Sequence, residues 1–99
     1  MREVKYHPRA LAELFRSARY YNRQRPGLGA EFFDELDAAV ARLVADPTRA
    51  KADNDGVRSG RLRRFPFRIY YVCDPNRIRL LAVAHLRRQT GYWRARLKD

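Results

Sequence analysis

Cysteine, histidine and lysine are scarce in this chain, and each shortage removes a class of chemistry. Cys73 is the lone cysteine, so neither an internal disulfide nor a thiolate metal cluster can form; a small buried apolar residue is expected there. His7 and His85 are the two histidines, and neither has a carboxylate or cysteine at ligand spacing, so no metal and no cofactor is expected. Ser17 and Ser59 lack the neighbouring base and orienting acid that a nucleophilic hydroxyl requires. Gly27-Leu28-Gly29 has no third glycine and no preceding strand, so it reads as a turn and not as a dinucleotide loop. No apolar run approaches the ~20 residues that span a bilayer. The opening Met1-Arg2-Glu3-Val4-Lys5-Tyr6 lacks the apolar stretch of a signal peptide, and a cytosolic location without membrane contact is expected.

What the chain has in excess is arginine. Of 22 basic residues, Lys5, Lys51 and Lys98 are the only lysines, and the net charge is +11. Residues 1–46 carry eight basic and seven acidic side chains, net +1, whereas residues 47–99 carry fourteen and four, net +10. The arginine-rich codon usage of a GC-rich genome would raise arginine everywhere, but it does not explain this asymmetry. Guanidinium groups fork carboxylates and phosphates and stack on planar groups, so the bias points to contact with a specific surface. With 99 residues, 45% of them apolar, residues 1–99 are expected to form a single domain with one modest core.

The periodicity is helical first and extended later. Arg2–Tyr6 reads as a strand. His7-Pro8 opens a helix, capped by His7, with Leu11, Leu14, Phe15 and Ala18 as its apolar stripe; Arg25-Pro26-Gly27 ends it. A second helix from Leu28 or Gly29 to Asp46-Pro47 carries Phe32, Leu36, Ala39, Val40 and Leu43 on its inner face. The short connection makes the two an antiparallel hairpin. Residues 48–56 form a polar loop. Val57–Arg64 is a strand weakened by Gly60, and Phe65-Pro66 bends the chain into a second, Phe67–Cys73, whose apolar and polar residues alternate. After the Asp74-Pro75-Asn76 turn, Arg77–His85 is the most apolar strand and the expected centre of the sheet. The tail, Arg87–Lys98, has room for one helical turn. The order β-α-α-β-β-β-tail describes an α+β fold, a helical hairpin packed on a largely antiparallel sheet.

One constellation stands out for chemistry: Arg61, Arg63, Arg64, Arg68, His85, Arg87, Arg88, Tyr92, Trp93, Arg94 and Arg96. In a regular strand Arg61 and Arg63 share a face. Guanidinium groups at the sheet end would hold phosphates while Tyr92 and Trp93 stack on bases. An acidic peptide would fit the same patch. The plainest alternative is a solvated basic face with a tryptophan closing the core.

The ordered set "VKYHPRALAEL", "RPGLGAEFFDEL", "ADP", "RRFPFRIYYV" and "LLAVAHLRRQTGYWRAR" resembles the RelE/ParE toxins of bacteria, often called plasmid-stabilisation proteins, over nearly the whole chain. The resemblance implies the toxin of a type II toxin–antitoxin pair, neutralised by a cognate antitoxin whose acidic and apolar C-terminal segment wraps it. RelE-like members cut mRNA on the ribosome without metal, the messenger's 2′-OH attacking the adjacent phosphate while arginines neutralise charge. By that pattern Arg68 matches an arginine early in the third strand and Arg87 one after the last strand. Ser59 and Arg61 stand where lysines are used, and Trp93, beside Tyr92, where a tyrosine is used. Other nuclease members use a glutamate base, but the only carboxylates after residue 56 are Asp74, in a turn, and Asp99; arginine is a poor base, which leaves His85 as the base of any endonuclease. ParE-like members poison DNA gyrase and need no active site. The "PGLG" hairpin and "FPFRIYY" look closer to that branch, so gyrase inhibition is the favoured expectation. The alternatives are a ribosome-dependent mRNA endonuclease using Arg68, His85 and Arg87, or a non-toxic basic nucleic-acid-binding domain.

Overall fold

The computed structural model describes residues 2–99. Strand β1 (Glu3–Tyr6) leads into helices α1 (Pro8–Gln24) and α2 (Leu28–Ala45), followed by strands β2 (Val57–Arg61), β3 (Phe67–Cys73) and β4 (Arg77–His85) and a 3-10 turn, Arg94–Lys98. His7 caps α1: its Nδ1 accepts the Arg9 N–H at 3.0 Å, and Pro8 occupies the first turn, where no N–H is needed. The hairpin turns at Gly27, whose φ of 89° suits glycine, and its N–H donates to Asn22 Oδ1 at 2.9 Å. The helices then pack so closely that a Cβ on Gly29 would lie 2.6 Å from the Ala18 carbonyl oxygen.

The sheet order is β1-β4-β3-β2. β4 is therefore internal, parallel to β1 and antiparallel to β3, and β2 closes the far edge antiparallel to β3. Phe67, Ile69 and Tyr71 of β3 point toward the helices and join Leu14, Phe32, Leu36, Ile78, Leu80 and Val83 in the main core. Tyr70 and Val72 point the other way. A bulge interrupts the β3/β4 register: Tyr70 pairs with Ala82 and Tyr71 with Leu80, leaving Leu81 without a partner. The extra residue lets both Leu81 and Ala82 serve the second face, where they form a smaller core with Val57 and Trp93. The α+β architecture anticipated from periodicity is thus present, with the one parallel pairing supplied by β1.

Three details differ from the sequence reading. β2 stops at Arg61, not Arg64, because Leu62 and Phe65 turn into the core and the Leu62 N–H bonds to the Phe67 carbonyl across the bend. Arg63 therefore lies outside the strand and shares no strand face with Arg61. The buried line of α1 is Ala10, Glu13, Leu14 and Ala18, while Leu11 and Phe15 are exposed, Phe15 by 45%. The helix is rotated so that the Glu13 carboxylate, in place of Leu11 and Phe15, faces the sheet. Cys73 is half-buried at the margin of the main core.

Replacing Gly29 tests the hairpin contact. Alanine favours a helix over glycine by about 1 kcal/mol, but the Cβ would sit against a backbone oxygen that cannot swing aside. Gly29→Ala is therefore expected to lower stability, within the range of about 1–3 kcal/mol typical of overpacking. Urea denaturation read by far-UV circular dichroism checks this.

Candidate functional site

β1 is only four residues long, and its pairing with β4 ends at Leu80, whose carbonyl takes the His7 N–H at 2.9 Å. Beyond that point the edge of β4 needs other partners. Glu13 of α1 supplies one: its Oε1 accepts the Val83 N–H at 3.0 Å. Arg96 of the tail supplies the other: its Nη1 donates to the Leu81 carbonyl at 2.9 Å. The two side chains also bond each other, Nη1 to Oε1 at 3.1 Å and Nη2 to Oε2 at 2.9 Å, at residue exposures of 6% and 7%. Tyr92 completes the cluster by donating its hydroxyl to Glu13 Oε2 at 2.7 Å. Burial above all, and then the bond to Glu13, hold the Tyr92 hydroxyl well above the usual tyrosine range, so it remains a donor.

This clamp draws the tail across the second face of the sheet. Trp93 is 1% exposed and lies on the Tyr70 ring with centroids 4.6 Å apart; its Nε1 is buried without a hydrogen-bond partner among the described residues. Arg94 is tied to Asp55 at 2.6 Å and Asp53 at 3.3 Å in the loop before β2. Further along, the Leu97 carbonyl accepts from Arg79, and Asp99 meets His7 at 2.7 Å. Trp93 is thus a core residue and not a free stacking platform, and Arg96 is an internal counter-ion and not part of an exposed basic face. The isolated acidic residue Glu13, one step from Leu14, was the available signal for a buried partner, but nothing local tied it to Arg96.

The remaining expected residues fall into three places. On the tail-side face, Arg61 and Arg68 are direct cross-strand partners, and among the described residues neither side chain meets a carboxylate; Arg68 donates to Ser59 Oγ at 3.1 Å. Like charges placed opposite each other in a sheet repel, and no carboxylate among the described residues offsets this pair. At the bend, Arg63 is exposed, whereas Arg64 bonds Glu31 at 2.8 Å and its backbone N–H reaches Glu35 at 2.9 Å. On the helix-side face, His85 packs against Phe67 at 5.2 Å and its Nδ1 accepts the Arg87 backbone N–H at 3.1 Å. Arg88 beside it covers the Tyr92 ring at 3.8 Å and approaches Glu13 at 3.7 Å. The sheet therefore separates Arg68 from His85 and does not assemble them with Arg87 into one site. Among the described residues, no group of three or more histidine, cysteine, aspartate or glutamate side chains is placed to hold a metal ion, and no helix is long and apolar enough to cross a membrane.

The fold is thus a helical hairpin on one face of a four-stranded sheet, with the tail clamped across the other. The model of the family described as ParE toxin of type II toxin-antitoxin system, parDE, matches residues 4–90, and the chain belongs to that family. Among solved structures, a chain of "Chromosomal ParDE TA system from P. aeruginosa" superposes with a TM-score of 0.74 at 22% identity, covering 86% of this chain and 96% of that one, a likeness of fold. No curated protein matches in sequence.

Arg96→Met strands a buried carboxylate and is expected to cost about 3–5 kcal/mol. Glu13→Gln, which keeps an acceptor for Val83, should cost less than Glu13→Leu, which does not; urea midpoints of the three variants give the order. The surface ion pairs of Glu31 respond to acid. Hydrogen bonds from Arg64 and then Arg25 hold the Glu31 carboxyl below its ordinary 4.5. Because the folded value is lowered, the stabilisation is complete above 4.5 and is lost as pH falls through the lowered value. The stability gap between the natural chain and Arg64→Ala should therefore narrow on acidification, as measured by urea titrations from neutral pH down to about pH 3.

Proposed function

We propose that this chain is a gyrase-directed toxin that acts in the cytosol by binding alone, and that a cognate antitoxin neutralises it. The observation that carries the non-catalytic reading is the placement of Arg68 and His85 on opposite faces of the sheet. RNA cleavage needs a group to take the 2′-OH proton within reach of the groups that stabilise the phosphate. On the Arg68 face the neighbours are Arg61 and Ser59, and neither is a competent base. A binding surface has no such requirement. Arg61, Arg63 and Arg68 are cations free of carboxylate partners among the described residues, suited to an acidic patch on a protein target.

The family supports an antitoxin partner. An acidic and apolar segment has complementary surface here: the unpaired arginines, and exposed Leu11 and Phe15 on the hairpin, with Phe15 edge-on to Phe33 at 5.7 Å.

Expression without a partner is expected to arrest growth and induce DNA-damage signalling before translation falls. Purified protein should block gyrase supercoiling and leave ribosome-bound mRNA whole. Arg61→Glu with Arg68→Glu should weaken gyrase inhibition by roughly tenfold or more, the scale of a charged interface anchor. Codon-specific transcript cleavage that disappears in His85→Ala would replace this reading with the endonuclease, and unimpaired growth would favour a non-toxic binding domain.

A further inference from the structure

A groove of about 620 Å³ lies on the helix side of the sheet, between the second half of α1 and the ends of β3 and β4. Four of its lining residues are cationic, Arg16 and Arg23 from α1 and Arg87 and Arg88 from the chain after β4, with His85 between them. Arg88 is committed to the Tyr92 ring and to Glu13. Arg16, Arg23 and Arg87 are exposed, and among the described residues their guanidinium groups have neither an ion pair nor a hydrogen bond. The acid that lines the groove, Glu13, is already saturated by Val83, Tyr92 and Arg96. Three like charges therefore face one concavity with no internal compensation, an arrangement that costs stability and attracts anions.

The remaining lining chooses among anions. Tyr20 lies in the groove wall, 49% exposed, with its ring braced edge-on by Tyr21 at 5.3 Å. Ser17 adds a hydroxyl. With its Nδ1 accepting from the Arg87 backbone, neutral His85 carries its proton on Nε2, a donor. Guanidinium groups spaced along a groove with an exposed, braced aromatic ring match a phosphate backbone whose bases stack. A peptide of carboxylates alone would use the charges but give the ring no partner of its own.

We propose that this groove binds single-stranded nucleic acid, with Arg16, Arg23 and Arg87 on successive phosphates and Tyr20 stacked on a base. The site is separate from Arg61 and Arg68, which lie on the other face of the sheet, and it does not depend on gyrase being the target.

The test is fluorescence anisotropy of the full chain with a labelled ten-nucleotide single-stranded DNA. Because a chain of net charge +11 attracts any polyanion, the comparison is among variants of equal charge. Arg16→Glu with Arg23→Glu should weaken binding at least tenfold more than Arg9→Glu with Arg42→Glu, which reverse two exposed arginines outside the groove. Arg16, Arg23 and Arg87 all changed to Ala should make the plot of log K against log salt shallower by about 2, the counterions of roughly three single-strand phosphates. Tyr20→Ala should weaken oligonucleotide binding by about fivefold or more and leave polyglutamate binding unchanged. Circular dichroism confirms that each variant is folded. Equal losses in the two double variants, a Tyr20→Ala variant that binds DNA normally, or polyglutamate or duplex DNA competing as well as the single strand would each overturn the proposal.

Discussion

The buried pair of Glu13 and Arg96 is the contact on which this fold turns. Its origin is a mismatch of strand lengths: β1 covers four residues and β4 nine, so part of an internal strand is left with an unpaired edge. Glu13 accepts the amide of Val83, Arg96 donates to the carbonyl of Leu81, and the charges neutralise each other. Neither side chain would be tolerated alone in that position, since an isolated buried ion costs several kcal/mol. Each is buried because the other is there. The same pair carries the first helix and the last segment of the chain to one point, 83 residues apart in sequence. Trp93, three positions before Arg96, is thereby delivered to the second face of the sheet, which would otherwise expose Leu81 and Val57.

The arginine surplus is divided accordingly. Arg96, Arg94, Arg64 and Arg79 serve the fold, each bonded to a carboxylate. Arg61 and Arg68 on one face, and Arg16, Arg23 and Arg87 on the other, have no carboxylate partner among the described residues. The sheet holds these groups apart, so they serve two surfaces and not one. The tail acts as structure beneath the first surface and beside the second.

Much of the fold was legible in the sequence because it is encoded locally. Alternation in Phe67–Cys73, the apolar run before His85, and Pro8, Pro26 and Gly27 at the helix ends each report on their own neighbourhood. The site was less legible because it is made by distant partners. Periodicity on α1 favoured Leu11 and Phe15 over Glu13, since the reason for burying a carboxylate lies in the tail. Trp93 looked like a stacking residue because its run of basic neighbours suggested an exposed face; the cover it provides for Leu81 depends on a bulge that no local pattern announces. Strand alternation places Arg61 and Arg63 on one face, and the inward turn of Leu62 that parts them is dictated by the core beneath it. Arg68 and His85 could be assigned to opposite faces only once the β3/β4 register was known.

Trp93 is the single tryptophan, and it reports directly on the clamp. The emission spectrum of Arg96→Ala, recorded without denaturant, tests the account most directly. Loss of the guanidinium should release the tail and shift Trp93 emission to the red, toward that of a hydrated indole, while the far-UV circular dichroism of the helical hairpin is kept. An unshifted, buried-type emission from a folded Arg96→Ala protein would contradict it, because the tail would then be held by something other than Glu13.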